Sequence, residues 1–219
     1  MGDARRRRKP AAIDTYERVS IDGRPAWRRW LASHHAESPG IWLVSWKKPT
    51  GKPRMTYDEV VEEALCFGWV DSLPRSLDDE RTMLLITPRT PGSGWSAINK
   101  GRVERLVAAG LMAPAGMAVV EAAEADGSWS ALDASEALEE PDDLADALAG
   151  DRAARDGFDA FTASVKKPLL AWVTSAKRPE TRARRVAAIV EGAARGQSPL
   201  DWRAKRRASP SGDGEGDSP

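Results

Sequence analysis

Between Tyr57 and Lys100 the chain changes its hydrophobic period twice within 44 residues, and the rest of the fold has to accommodate that stretch. Thr56 opens it as a predicted helix N-cap, and Glu59 three residues on completes a capping box. Val60, Val61, Ala64, Leu65 and Phe67 supply one buried face, and Gly68 stands where a helix ends. Trp69-Val70-Asp71-Ser72 then begins an extended piece that Pro74 is expected to interrupt. Thr82–Thr87 (TMLLIT) is a second strand. The loop from Pro88 to Gly94 is rigid and then flexible, and Ser96 caps a helix over Ala97–Ala109. The short Ser72–Arg81 connection forces antiparallel pairing.

A third strand lies upstream. Ile41–Lys48 (IWLVSWKK) is rich in strand formers, with Trp42, Val44 and Trp46 alternating onto one face and Ile41 and Leu43 onto the other. A run apolar on both faces predicts a strand covered on both sides. Before it, Pro25 and the i, i+3, i+4 set Trp27, Trp30 and Leu31 predict a helix that Pro39-Gly40 stops. Downstream, helices are expected at Pro114–Ala125, from Pro141, and over Arg152–Phe161, Val165–Ser175 and Pro179–Ala194. The fold class is therefore α+β: a small antiparallel sheet of Ile41–Lys48, Trp69–Leu73 and Thr82–Thr87 packed by helices, followed by a helical C-terminal region. The expected organisation is a disordered basic tail (1–20), an α+β core (21–130), a helical region (131–196) and a disordered tail (197–219).

Charge is balanced overall, 33 basic against 33 acidic residues, so no global field draws the chain to nucleic acid or membrane. It is segregated locally. Glu121–Asp159 holds 13 acidic and 2 basic residues, and Val165–Arg207 holds 12 basic and 3 acidic. The two segments are expected to neutralise each other; the alternative is a basic surface for anionic partners. No secretory segment follows Met1 and no apolar run approaches about 18 residues, so the expected location is the cytoplasm, without membrane insertion. The single cysteine, Cys66, excludes an internal disulfide and a cysteine zinc site. Nine tryptophans, against two tyrosines and three phenylalanines, are expected to send some indoles to a partly wet cleft.

Standard catalytic patterns are absent. There is no GxGxxG, no HExxH, no Walker A sequence, no nucleophile elbow around Ser93 and no EF-hand loop, so no cofactor or metal is expected. His34 and His35 point about 100° apart on one helix and read as surface or cap residues. Asp78-Asp79-Glu80 reads as a solvated turn. The suggestive junction is the glycine loop leading into a helix: Arg89 precedes it, and Trp95, Asn99 and Lys100 follow at a helix N-terminus that favours anions. With Asp71 and Arg81 these make a candidate ligand site for a phosphate or carboxylate. The competing expectation is that Arg89 pairs with Asp71, Asp78, Asp79 or Glu80 and ties the loop down.

WRRWLASHH, GIWLVSWKK, TYDEVVEEALCFGWVDS, LDDER, TPR, WSAINK, RVERL and AGLM, followed by DGSW, PDDL and SVKKPLLAWVTSAKRPETRARRVA, resemble the YdeI/OmpD-associated, or bacteriocin-protection, family over roughly Trp27 to Arg195. Two places depart from its pattern. After CFGWVDS only Arg75 remains of a usually basic stretch, and Gly101, a weak helix former, follows Lys100. The resemblance implies a stress-related role in protection against antimicrobial peptides or bacteriocins and names no reaction. Three functions are compatible with the residues. The first is a cytosolic accessory protein binding an anionic small molecule or protein partner. The second is a nucleic-acid module using Lys177, Arg178, Arg182, Arg184 and Arg185. The third is an enzyme with Asp71 as acid/base.

Overall fold

In the computed structural model of the protein residues 12–201 are described, and they form two compact units that divide between Ala131 and Leu132. The basic run Arg5–Arg8 and the WRAKRR segment lie outside the described residues.

The first unit contains strands β1 (Glu17–Ser20), β2 (Ile41–Trp46), β3 (Trp69–Ser76) and β4 (Arg81–Pro88), with helices α1 (Arg24–His34), α2 (Tyr57–Cys66), α3 (Ala97–Ala108) and α4 (Pro114–Ala125). The strand order is β1-β2-β4-β3, with β2–β4 and β4–β3 antiparallel. The sheet is mixed, which corrects the purely antiparallel expectation: β1 runs parallel to β2, with α1 making the crossover between them. Residues 12–20, part of the expected tail, hold β1 and the turn before it. Ile13 and Tyr16 cover Trp42, Val44, Met83 and Leu85 on one face of the sheet, and the Trp42 indole donates to the Ile13 carbonyl at 2.8 Å. On the other face Ile41 and Leu43 join Trp27, Leu31, Val61 and Leu65 in the helical core. So β2 is covered on both sides.

Pro74 does not end β3. The register of β3 against β4 slips between Asp71 and Pro74, and β3 lies at the sheet edge, where a residue without an N–H is tolerated. The turn into β4 is closed by Asp78, whose carboxylate accepts from the amides of Glu80 (3.0 Å) and Arg81 (2.7 Å) and from Arg81 Nε (2.7 Å).

α2 starts with the capping box: Thr56 Oγ1 accepts from the Glu59 amide at 3.2 Å, and Glu59 accepts from the Thr56 amide at 2.7 Å. It ends at Gly68, with φ of 73°, where α4 passes so close that a Cβ would lie 2.6 Å from Val119 Cγ2. The Gly68 carbonyl accepts from the Arg89 amide at 3.0 Å, which fixes the exit of β4 beside the end of α2.

The second unit contains α5 (Asp133–Glu136), α6 (Asp142–Ala149), α7 (Arg152–Asp159), α8 (Ala163–Thr174) and α9 (Pro179–Ala194). Leu144, Leu148, Phe158, Leu169, Leu170 and Ile189 are its buried core. The expected tail from 197 is placed over its first residues: the Gln197 amide donates to the Gly192 carbonyl at 2.8 Å, closing the end of α9.

Candidate functional site

Arg89 lies one residue beyond β4, at the neck of the 90–94 loop. Its Nη2 donates to the carbonyls of Gly94 (2.5 Å) and Ser93 (3.2 Å), and its guanidinium lies 3.8 Å over the Trp95 ring. Arg89 does tie the loop down, but through carbonyls and an aromatic face; neither Asp71 nor the 78–80 acids reach it, since Arg81 takes Asp78. Burial alone pulls the Arg89 pKa down, because no carboxylate among the described residues offsets it. Nε is buried without a partner. An arginine keeps its proton regardless, so the loop neck holds a half-buried, uncompensated cation.

Trp95 is fully buried and packs on Trp129, ring centroids 4.9 Å apart and tilted by 50°. Lys100 Nζ lies 5.4 Å from the Trp129 ring. Arg89, Trp95, Trp129 and Lys100 thus form a continuous chain of cation–aromatic and aromatic contacts. Ser96 caps α3 as expected, accepting from the Asn99 amide at 3.4 Å. A cleft of about 180 Å³ opens beside Arg89 and Trp95, walled by the 90–93 loop, by Ala118, Val119 and Ala122 of α4, and by Asp126.

The other expected residues lie elsewhere. Asn99 Oδ1 accepts from Arg102 Nη1 at 3.0 Å, and Arg102 also holds Asp58 and lies over the Tyr57 ring. Tyr57 in turn donates its hydroxyl to Asp71 Oδ2 at 2.8 Å. Asp71 and Asn99 therefore share an Arg102–Tyr57 network, and Arg81 stays with Asp78. Residues missed in the sequence are Asp126 and Trp129, which the DGSW turn presents only once α4 is packed, and Arg102, which reads as one more surface arginine on α3.

Burial, with Asp71 adding to it, pushes the Tyr57 hydroxyl up to about 12. A tyrosine in the unfolded chain titrates near about 10. The fold thus favours the protonated phenol, and this stabilisation is fully present below about 10 and lost as pH rises toward about 12. Tyrosinate absorbance, compared between wild type and Tyr57→Phe, is expected to assign Tyr57 a titration at about 12, lowered in Asp71→Asn. A Tyr57 titration at the ordinary value would contradict the bond.

Among the described residues no group of three or more histidines, cysteines or carboxylates is placed to hold a metal, and no helix is long and apolar enough to cross a membrane. Cys66 is buried, and burial raises its thiol pKa, as for a packing residue. His34 and His35 each bond a carbonyl one turn back, those of Trp30 (2.8 Å) and Leu31 (2.9 Å).

Residues 137–196 match the family model described as "Bacteriocin-protection, YdeI or OmpD-Associated". That match supports the family resemblance over this segment. Residues 19–119 match a different model, a domain of unknown function (DUF8412), so the two models divide the stretch over which the sequence resemblance was drawn. The Arg89–Trp129 chain of contacts begins in the DUF8412 segment; SAKRPETRARR lies in the YdeI/OmpD-associated one. No curated protein and no solved structure matches the chain.

Within the second unit the segregated charges meet in part. Arg182 makes two bonds to Asp143, at 2.6 and 2.8 Å, and Lys167 reaches Glu136 at 2.7 Å. Arg185 is turned onto the Trp172 carbonyl and ring and bonds Ser175 Oγ at 2.9 Å. Lys177 and Arg178 precede α9, and with Arg184 they are exposed. The five basic residues thus form no single free face. A groove of about 830 Å³ along α6 and α9 is larger than the Arg89 cleft; Ala147, Ala183, Val186 and Val190 line it together with Asp143, Asp151, Arg182, Glu191 and Arg195, and Arg182 is already committed to Asp143.

Proposed function

We propose that the protein is a cytosolic accessory protein of the bacteriocin-protection type, and that the cleft beside Arg89 and Trp95 takes the anionic group of a small molecule or protein partner. The family of the second unit supports the first half of this reading. The half-buried Arg89 guanidinium, uncompensated by any carboxylate among the described residues, carries the second half. An anion arriving there supplies a countercharge that Arg89 does not receive from a carboxylate among the described residues. A cytosolic protein meets an external peptide only if that peptide enters, so protection runs indirectly, through a cellular ligand.

The nucleic-acid reading draws less support, because Arg182 and Arg185 are engaged within their own unit. Asp71 as an acid/base draws less as well, with the Tyr57 hydroxyl already on its carboxylate.

Thermal unfolding against nucleotides, phosphosugars, carboxylates and short nucleic acids tests the reading. A ligand specific for the native state, at about 100 times its dissociation constant, adds about 2.7 kcal/mol and raises the midpoint. Arg89→Gln is the matched variant, and each shift is taken from that protein's own unliganded midpoint, because Arg89 also anchors the loop. The expected result is a shift with at least one anion class in wild type, lost in the variant. A cooperative transition that no anion moves would contradict the proposal.

A further inference from the structure

The Arg89 cleft carries a second charge. Asp126 stands on its wall at the end of α4, and its carboxylate accepts from the Ser128 amide at 2.8 Å. Hydrogen bonds from Ser128, with the Gly92 amide adding to them, hold this carboxyl below the usual carboxylate range, so it is an anion at neutral pH. Arg89 and Asp126 do not pair: the guanidinium is committed to the Ser93 and Gly94 carbonyls and to the Trp95 face, and the carboxylate to amides of two turns. Opposite charges lining one cleft, each held by backbone groups and not paired with each other, make a bipolar site. The same cleft is lined by apolar surface from Ala118, Val119 and Ala122. The volume, about 180 Å³, suits a ligand a little larger than benzene, which fits a cavity of about 150 Å³.

Resting on the anion-site reading above, we infer that the ligand is a small zwitterion with an apolar body, of the class of a free apolar amino acid: its carboxylate on Arg89, its ammonium on Asp126 and its side chain on the α4 wall. Asp126 would repel a simple anion and attract this one. The site then discriminates by charge pattern as well as by charge sign.

Three probes of similar size separate the possibilities: L-leucine, isocaproate (the carboxylate without the ammonium) and isoamylamine (the reverse). Binding is read by calorimetric titration of the full chain. L-leucine is expected to bind wild type at least tenfold tighter than either single-charge probe. Asp126→Asn removes that preference and leaves isocaproate at least as tight, whereas Arg89→Gln weakens L-leucine and isocaproate together. Isocaproate binding wild type as tightly as L-leucine would overturn the inference and leave the anion site standing. No binding of any probe by wild type would overturn the inference, and a blank anion panel as well would remove the site on which it rests. The wild-type comparison decides without either variant, so a variant that fails to fold leaves the test intact.

Discussion

Gly157→Ala is expected to unfold the second unit or to destabilise it by about 3 kcal/mol or more, beyond the usual range for overpacking because the obstacle is backbone. Gly157 lies inside α7 at its crossing with α9, where an added Cβ would stand 1.9 Å from the Ala193 carbonyl oxygen and 2.8 Å from its carbon. No rotamer change relieves that contact; the two helices must part. Phe158, fully buried next to Gly157, and Ile189 on α9 would lose contacts as they did. The better helix propensity of alanine returns only about 1 kcal/mol. Gly150→Ala is the control: its Cβ would come no nearer than 3.6 Å, to the Ala147 carbonyl, and urea unfolding is expected to move by less than about 0.5 kcal/mol. A Gly157→Ala protein as stable as wild type would show that α7 and α9 do not approach this closely.

Glu63→Ala is expected to be comparably severe in the first unit. Glu63 is buried on α2, yet both its oxygens are taken from α1: Oε1 accepts from Arg24 Nε at 2.7 Å and Oε2 from Arg28 Nη1 at 2.8 Å. Arg24 has a second carboxylate in Glu62 at 3.0 Å, but Arg28 has no other among the described residues. Removing Glu63 leaves a partly desolvated guanidinium facing the α1–α2 contact, and breaking such a pair costs about 3–5 kcal/mol when buried. The arginine side chains keep 31% and 36% of their exposure, so the lower end, about 3 kcal/mol, applies. Glu63→Gln, which keeps the shape and one acceptor, is expected to fall between the two in urea unfolding. Equal midpoints for all three would mean that α1 and α2 are held by Trp27, Leu31 and Val61 alone.

These two positions also mark where sequence reading ends. Features set by neighbours in the chain were legible: the Thr56–Glu59 box, the Ser96 cap, the Gly68 stop and the Pro179 start all depend on residues within one turn. The both-sided character of β2 was legible from its own alternation. β1 was not, because ERVS has neither the length nor the apolar pattern of a strand. It becomes one only against the β2 edge, and the residues before it are held by the Trp42 indole. Pro74 misled because its missing donor matters in a central strand and not at an edge bulge. Glu63 reads as the solvated position of a helix, and only Arg24 and Arg28, 39 and 35 residues earlier, make it a core residue. In the candidate site, Arg89, Trp95 and Lys100 were legible as a loop-to-helix junction. Their companions Trp129 and Asp126 were not, since they arrive from a turn beyond α4.

We propose that Arg89, a cation without a carboxylate partner among the described residues, makes the 90–94 loop an anion site. Calorimetric titration of wild type and Arg89→Gln with a single carboxylate probe, at low ionic strength, is the decisive measurement. Saturable binding to wild type, weakened at least tenfold in the variant, is the expected result. Equal binding by both proteins would move the site away from Arg89, and no binding to wild type would leave the buried guanidinium as a loop anchor alone.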